Sequence, residues 1–126
     1  MREADVQNTI RIEGAKVGLL LFRNNVGVLK DKNDRPVRFG LANDSAELNR
    51  KYKSSDLIGV DSRCGVFVAI EVKEPGWKYN PNDEHEVAQR AFLDLIIAKG
   101  GLATFATSWD DVKEYFKGRG YGFTPK

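Results

Sequence analysis

The chemically most informative residues are two acidic side chains and a nearby lysine. Glu71 and Lys73 are two positions apart in an apolar, β-branched run at 66–73, so in a strand they share one face. Fourteen residues lie between Asp56 and Glu71, which is enough for a strand, a turn and a returning strand. An antiparallel hairpin of this length can bring Asp56 beside Glu71 and Lys73. Two adjacent carboxylates repel each other, and a divalent cation can hold both ionised; we therefore expect Mg²⁺ there, with the Val72 carbonyl as a further ligand.

A simpler explanation exists for Glu71 and Lys73 taken alone. Charged residues are common at strand ends, where they form weak surface ion pairs in water. The hypothesis of a metal site therefore depends on Asp56 lying close to them.

Composition restricts the kinds of site that the chain can build. Among 126 residues there is one His and one Cys, which is too few for a zinc finger, a C-x-x-C redox pair or a disulfide framework. Any metal must then be held by carboxylates, which points to a hard cation such as Mg²⁺. We expect His85 to be a solvated residue at a helix start and Cys64 to be a turn or packing residue. The charged N-terminus and the shortness of the longest apolar run, at 17–22, predict a soluble, cytoplasmic protein that makes no membrane contact.

The hydrophobic periodicity predicts a single α/β domain over 1–126, in which helices flank a mixed sheet. Between the first and second strands of this sheet lies an excursion at about 28–53, whose short apolar pairs suggest a hairpin. A short C-terminal tail begins at about residue 119 and is expected to be loosely held. The predicted helices cover 3–16, 83–99 and 108–118, and the predicted strands cover 19–26, 56–60, 66–73 and 102–107.

Five short motifs occur in an order that resembles one nuclease family. They are Glu3 with Gln7, Arg23 with Gly27, Asp-Leu-Ile-Gly at 56–59, Glu-Val-Lys at 71–73, and Gln89 with Phe92. Each motif is weak alone, but together they resemble the virus-type replication-repair nuclease (VRR-NUC) domain of the PD-(D/E)XK superfamily, from about residue 3 to 107. The clearest departure is Ser55, where the family usually has proline.

The resemblance implies a restriction-endonuclease-like fold and an Mg²⁺-dependent endodeoxyribonuclease, in which Mn²⁺ can substitute for Mg²⁺. It makes Asp56 and Glu71 metal ligands, and it gives Lys73 the task of polarising the attacking water and steadying charge on the phosphate. Glu3 would reach the metal directly or through water, although a carboxylate in the first turn of a helix is also favourable by itself. Gln89 would lie at the active site, whereas without the resemblance it would be taken for an exposed helix position. Gln7, one turn beyond Glu3, could line the site as well.

Positive charge is concentrated in the excursion, although the chain as a whole carries only +2. Residues 30–53 contain seven basic and four acidic side chains, a net charge of +3. We predict that DNA phosphates contact this segment and basic residues nearer the site, although a solvated, mobile segment would have the same composition. The predicted contacts are Arg23, Lys51, Lys53, Lys78 and Arg90.

The resemblance also suggests a substrate and an assembly. Free-standing members of the family resemble Holliday-junction resolvases, which implies branched DNA in phage or viral replication or repair. A small domain that cuts two strands symmetrically is usually a two-fold homodimer. One alternative is a non-catalytic nucleic-acid-binding or assembly module that retains the nuclease fold. A second alternative, within the same fold, is a sequence-specific or single-strand nuclease in place of a junction resolvase.

Overall fold

A four-stranded mixed sheet lies at the centre of the computed structural model, which describes residues 2–123. Its strands lie in the order β1 (Leu19–Arg23), β4 (Leu57–Asp61), β5 (Val66–Val72) and β6 (Leu102–Ala106). Strand β4 is antiparallel to both neighbours, and β5 is parallel to β6. A small α/β domain with a mixed sheet between helices was predicted, and this coarse prediction is confirmed. The elements are α1 (Glu3–Lys16), β1 (Leu19–Arg23), β2 (Gly27–Lys30), β3 (Pro36–Phe39), α2 (Ala46–Lys51), β4 (Leu57–Asp61), β5 (Val66–Val72), α3 (Glu84–Ala98), β6 (Leu102–Ala106) and α4 (Trp109–Gly118).

Strand β5 is buried on both faces, as its apolar sequence predicts. Val68, Ile70 and Val72 point to one side of the sheet. There they pack with apolar residues of α1 and α4, among them Ile10 and Phe116, in what we call the larger core cluster. Ala69 points to the other side, where it packs against α3. Glu71 continues the face of Ala69, so its side chain emerges toward α3 at the end of a central strand.

Helix α3 forms the crossover between the parallel strands β5 and β6. Asp83 caps it, because its Oδ1 accepts hydrogen bonds from the amides of His85 and Glu86 at 2.9 and 3.2 Å. Phe92 and Leu93 of α3 bury themselves against the sheet. This packing fixes the rotation of the helix, and with it the face that reaches the end of β5.

The predicted excursion forms the β2–β3 hairpin and the short helix α2. The hairpin is a separate two-stranded sheet that the buried Asn43 holds in place. Asn43 Nδ2 donates to the carbonyls of Gly27 and Phe39, and Arg38 Nε donates to the Asn43 carbonyl. The backbone amide of Lys53 donates to the Ala88 carbonyl at 3.0 Å and ties the end of the excursion to α3.

The tail is not loosely held over its described part, so this expectation is wrong there. Tyr121 and Phe123 pack against the larger core cluster. Arg63, in the turn between β4 and β5, donates to the carbonyls of Tyr121 and Gly122 at 2.7 and 2.8 Å. The rest of the tail, 124–126, lies outside the described residues. Within residues 2–123, no helix is long and apolar enough to cross a membrane.

Arg63 also neutralises a carboxylate that is inaccessible to solvent. Asp61 is 0% exposed, and its Oδ2 accepts from Arg63 Nη2 at 2.7 Å. Burial alone would raise the pKa of Asp61, but the hydrogen bonds and charge of Arg63 outweigh burial, so the pKa lies below its usual value. The pair therefore joins the β4–β5 turn to the tail.

We expect Arg63→Ala to lower the free energy of unfolding by about 3 kcal/mol, because it leaves the buried Asp61 carboxylate without its cation, with only the backbone amide of residue 63 as a hydrogen-bond donor among residues 2–123. Urea denaturation at neutral pH measures this change. Lys113→Ala is the control, since Lys113 and Asp110 form an exposed pair on α4 whose loss should cost little. Equal destabilisation by the two substitutions would contradict this account of Arg63.

Candidate active site

The pairing of β4 with β5 places Asp56 directly opposite Glu71. Leu57 pairs with Ile70, and one further step along both strands brings the two acidic residues together. The Asp56 amide donates to Glu71 Oε1 at 3.2 Å, and the Val72 amide donates to Asp56 Oδ2 at 3.0 Å. Each carboxylate is thus oriented by a backbone amide of the opposite strand. The structure brings Asp56 and Glu71 together as the sequence predicts.

Glu71 lies in surroundings that disfavour its charge. It is only 5% exposed. Burial, followed by the negative charge of Asp56 and a hydrogen bond with it, raises the pKa of Glu71 to about 9. The charge of Lys73 acts in the opposite direction but does not overcome burial. In the protein alone, Glu71 therefore keeps its proton at neutral pH, and ionising it requires additional positive charge nearby.

Gln89 links Lys73 to Glu71. Lys73 Nζ donates to Gln89 Oε1 at 2.9 Å, and Gln89 Nε2 donates to Glu71 Oε2 at 3.1 Å. Lys73 Nζ also lies 3.9 Å from Glu71 Oε2. Gln89 is 6% exposed, so the alternative of an exposed helix position is wrong. A glutamine fits here because its side-chain amide can accept a hydrogen bond from the Lys73 ammonium and donate one to the Glu71 carboxyl group.

Aromatic rings surround the outer side of Lys73. Its Nζ lies 5.4 Å from the ring centroid of Trp77 and 5.9 Å from that of Phe105. The Lys73 side chain is 13% exposed. The ammonium is therefore held by one hydrogen bond and by ring faces, and two of its three protons remain available. The simpler explanation of Glu71 and Lys73 as a surface ion pair is wrong, because both side chains are largely buried.

Glu3, at the start of α1, lies within electrostatic range of Asp56 and Lys73. Partial burial and then the charge of Asp56 raise the pKa of Glu3, whereas the charge of Lys73 lowers it. Glu3 is an exposed residue in the first helical turn, where a carboxylate also interacts favourably with the helix N-terminus. Gln7, one turn further along, is half-buried.

A cleft of about 510 Å³ opens beside Asp56 and Glu71. The acidic pair and Gln89 lie on one side, and the excursion contributes Arg38 and Lys53. The cleft therefore joins an acidic floor to basic groups, a charge distribution that suits a phosphate bridged to a cation.

Asn24 is a cleft residue that the sequence did not single out. Its amide donates to the Asp56 carbonyl at 2.8 Å, and its Nδ2 donates to Ser54 Oγ and the Ser55 carbonyl at 2.8 and 2.9 Å. Asn24 thereby fixes the chain that leads into Asp56. The signal was the abrupt change from an apolar strand to Asn24-Asn25, where our predicted strand was extended too far.

Ser55 occupies the position at which the resembled family usually has proline. It is 1% exposed, and its Oγ donates to the Leu57 carbonyl at 2.8 Å. The buried hydroxyl thus has a hydrogen-bond partner two residues away, and this bond holds the backbone on either side of Asp56.

The predicted phosphate contacts have different placements. Lys53 lines the cleft, although its Nζ also donates to the backbone and side-chain oxygens of Asn49. Arg23 is exposed at the end of β1, opposite Leu57, the residue that follows Asp56. Lys51 is exposed at the end of α2, outside the lining of the cleft.

Two further basic residues lie beyond the cleft. Lys78 is exposed in the loop after β5. Arg90 is exposed on α3 next to Gln89, and its Nε donates to Asp94 at 3.2 Å. Neither residue lines the cleft, so any contact with a phosphate would be outside it.

His85 and Cys64 occupy the kinds of position that the sequence predicts. His85 is an exposed residue of the first turn of α3 that also lines the cleft. Partial burial and the charges of Lys53 and Lys73 lower the pKa of His85. Cys64 is exposed in the turn between β4 and β5.

The donor set at this site suits a hard cation. Asp56 and Glu71 offer carboxylate oxygens, and the repulsion between them is relieved by a positive charge. The backbone amide of Val72 is engaged with Asp56, whereas its carbonyl remains only a predicted ligand. Among residues 2–123, no group of three or more His, Cys, Asp or Glu side chains is arranged to hold a metal. Water and backbone oxygens would therefore complete the shell, as is usual for Mg²⁺.

Comparisons with protein-family models, with curated proteins and with solved structures found no match to this chain.

The raised pKa of Glu71 predicts a pH-dependent stability in EDTA. Between the ordinary carboxyl pKa of 4.5 and about 9, the unfolded chain loses the Glu71 proton while the folded protein retains it. Stability from this residue is therefore present below pH 4.5 and is lost as pH rises toward 9. Glu71→Gln removes this loss, so its melting temperature should exceed that of wild type by about 4 °C or more near pH 8 but not near pH 5.

Melting curves at the two pH values measure this difference. Glu114→Gln is the control, since Glu114 is exposed on α4. A difference between Glu71→Gln and wild type that is the same at both pH values would contradict the assigned protonation of Glu71.

Proposed function

We propose that the protein is an Mg²⁺-dependent endonuclease that hydrolyses phosphodiester bonds of DNA. The observation that carries this proposal is the hydrogen-bonded cluster of Asp56, Glu71, Lys73 and Gln89, because all of its members except Lys73 line an open cleft. Placing the half-buried Asp56 carboxylate beside the buried Glu71 carboxylate costs stability, and apolar residues there would satisfy the packing of the sheet. A function in binding a cation explains why they are present.

The fold supports a more specific assignment to the PD-(D/E)XK type. In that type, the first acidic residue precedes one strand and the Glu-x-Lys motif ends the next, with helices on both faces of the sheet. Here Asp56 precedes β4, and β5 ends at Glu71-Val72 with Lys73 immediately after. We extend the proposal to the VRR-NUC family because the chain contains, in order, the five motifs that resemble this family, all within residues 2–123.

The side chains divide the chemical work. Asp56 and Glu71 would hold the cation, which would supply Lewis-acid neutralisation of phosphate charge. The Val72 amide orients Asp56, while the Asp56 amide and Gln89 orient Glu71. These bonds set the carboxylates in place before a substrate arrives.

Lys73 supplies the second positive charge. Gln89 Oε1 accepts a hydrogen bond from the ammonium and fixes the direction of the side chain, so the other two N–H groups can point to an attacking water or a phosphate oxygen. In a largely buried site, this interaction is stronger than it would be in water. Glu3, at the start of α1, would contact the cation through a water molecule.

Branched DNA and a homodimer complete the proposal. The cleft presents the basic side chains of Arg38 and Lys53, and no segment of the sequence resembles a base-reading helix, so we propose recognition of DNA shape. Exposed apolar residues on the edge strand β1, Leu20 and Phe22 at 43% and 62%, support association with a second copy. Two copies would let the protein cut both strands of a junction.

Asp56→Ala and Lys73→Ala should each lower the rate of Mg²⁺-dependent cleavage by at least about 100-fold, because they remove a metal ligand and a charge-stabilising donor. Cleavage is measured in parallel on linear duplex, flap and four-way-junction DNA of equal length. Lys113→Ala, on α4, should cleave at the wild-type rate.

Equal cleavage by wild type and both site variants would exclude this site. If wild type bound DNA but cleaved none of the three substrates with Mg²⁺ or Mn²⁺, the binding-module alternative would replace the proposal. Cleavage of linear duplex as fast as of the junction would remove the preference for branched DNA.

The double variant Lys51→Glu/Lys53→Glu should weaken DNA binding and reduce its dependence on salt. Each lost phosphate contact lowers the slope of log affinity against log salt by about 0.9 for duplex DNA. Fluorescence anisotropy across a salt series measures the slope. Lys16→Glu/Lys113→Glu makes the same charge change on α1 and α4, and equal effects of the two double variants would contradict a local contact.

A further inference from the structure

Three aromatic side chains form a cluster beside Lys73. We call Trp77, Tyr79 and Phe105 the aromatic cluster; the Trp77 and Phe105 ring centroids are 4.6 Å apart, and those of Tyr79 and Phe105 are 5.9 Å apart. Phe105 pairs with Glu71 in the parallel β5–β6 ladder, so both side chains point toward α3. Phe105, the member of the cluster on β6, is thus one strand away from Glu71.

A second cavity, of about 390 Å³, is lined by the aromatic cluster and by Arg90. It shares no lining residue with the cleft. The Arg90 guanidinium lies 5.9 Å from the centroid of Tyr79. Lys73, whose Nζ is within 6 Å of both the Trp77 and Phe105 rings, lies between the cavity and Glu71. Ring faces with flanking cations are the combination that binds bases of single-stranded nucleic acid.

Trp77 carries a polar group that the protein leaves unused. Its Nε1 is buried and has no hydrogen-bond partner among the described residues. A buried donor without a partner costs free energy, and such groups in folded proteins call for a reason. A ligand with carbonyl or ring-nitrogen acceptors, as every nucleobase has, could satisfy this donor after a small rotation of the indole. The indole would break no hydrogen bond in turning.

We propose that this cavity binds an unpaired nucleobase, stacked on the aromatic cluster, next to the scissile phosphate that the proposed function assigns to Asp56 and Glu71. The inference rests on the proposed function and names its substrate more closely: DNA with an unpaired nucleotide beside the scissile bond. A paired base cannot offer its face to the rings, because its neighbours in the duplex cover both faces. Lys73 connects the two subsites, since the same ammonium lies against the rings and the Glu71 carboxylate.

The test uses the two tryptophans as separate reporters. Trp109 packs on Phe123 on the opposite side of the sheet, so it is a matched control. Trp109→Phe leaves Trp77 as the only indole, and Trp77→Phe leaves Trp109. Both are combined with Asp56→Asn so that no strand is cut, and emission is followed on adding flap DNA with an unpaired strand or a blunt duplex of equal length.

We expect flap DNA to quench emission in the protein that retains Trp77 and to leave the emission of Trp109 unchanged. In anisotropy titrations, Trp77→Ala should bind flap DNA at least about fivefold more weakly and duplex DNA as before. Trp77→Phe, which keeps a stacking ring, should recover most of the affinity. Circular dichroism and melting curves confirm that each variant is folded.

The inference is overturned if flap DNA binds but leaves the emission of Trp77 unchanged, or if duplex DNA quenches it equally. It is overturned as well if Trp77→Ala binds flap DNA with wild-type affinity. These results would leave the cleavage assay, and hence the proposed function, untouched. Quenching by flap DNA without Mg²⁺-dependent cleavage by the unmodified protein would instead retain the base-binding site and contradict the nuclease.

Discussion

The register between β4 and β5 determines which side chains meet at the candidate site. It sets Asp56 opposite Glu71, and each carboxylate then accepts a backbone amide of the other strand. The resulting arrangement is electrostatically unfavourable in the protein alone, because Glu71 is buried and faces a second acidic group. A shift of one residue in this register would turn the Glu71 side chain to the opposite face of the sheet and separate it from Asp56. The pair lies at one end of the central strands and opens to a cleft.

The scaffold holds the site from several directions. Helix α3, fixed by its Asp83 cap and its apolar face, delivers Gln89 between Lys73 and Glu71. The excursion places basic groups across the cleft, and Asn24 fixes the chain before Asp56. On the far side, β6 supplies Phe105 and thus one ring of the aromatic cluster. The acidic pair therefore has a cleft on one side and an aromatic cavity on the other.

Much of this arrangement could be predicted from sequence, because it depends on periodicity and chain length. The alternation in β5 predicts the shared face of Glu71 and Lys73, and the fourteen intervening residues allow Asp56 to return to them. The burial of Gln89 could not be predicted from α3 alone, since it depends on how the helix packs on the sheet. The roles of Asn24 and Asn43 could not be predicted, because their side chains form hydrogen bonds with segments that are distant in sequence. The packed tail was missed for a similar reason: Arg63, almost sixty residues earlier, holds it.

The central claim is that the Asp56–Glu71 pair holds a divalent cation, and calorimetric titration with Mn²⁺ tests it most directly. Titrations near pH 7 in two buffers of different ionisation enthalpy report both the affinity and the protons released. Because Glu71 keeps its proton in the metal-free protein, binding should release close to one proton, and Asp56→Asn should abolish binding. Mn²⁺ binding that persists unchanged in Asp56→Asn, or the absence of binding by wild type, would contradict the account.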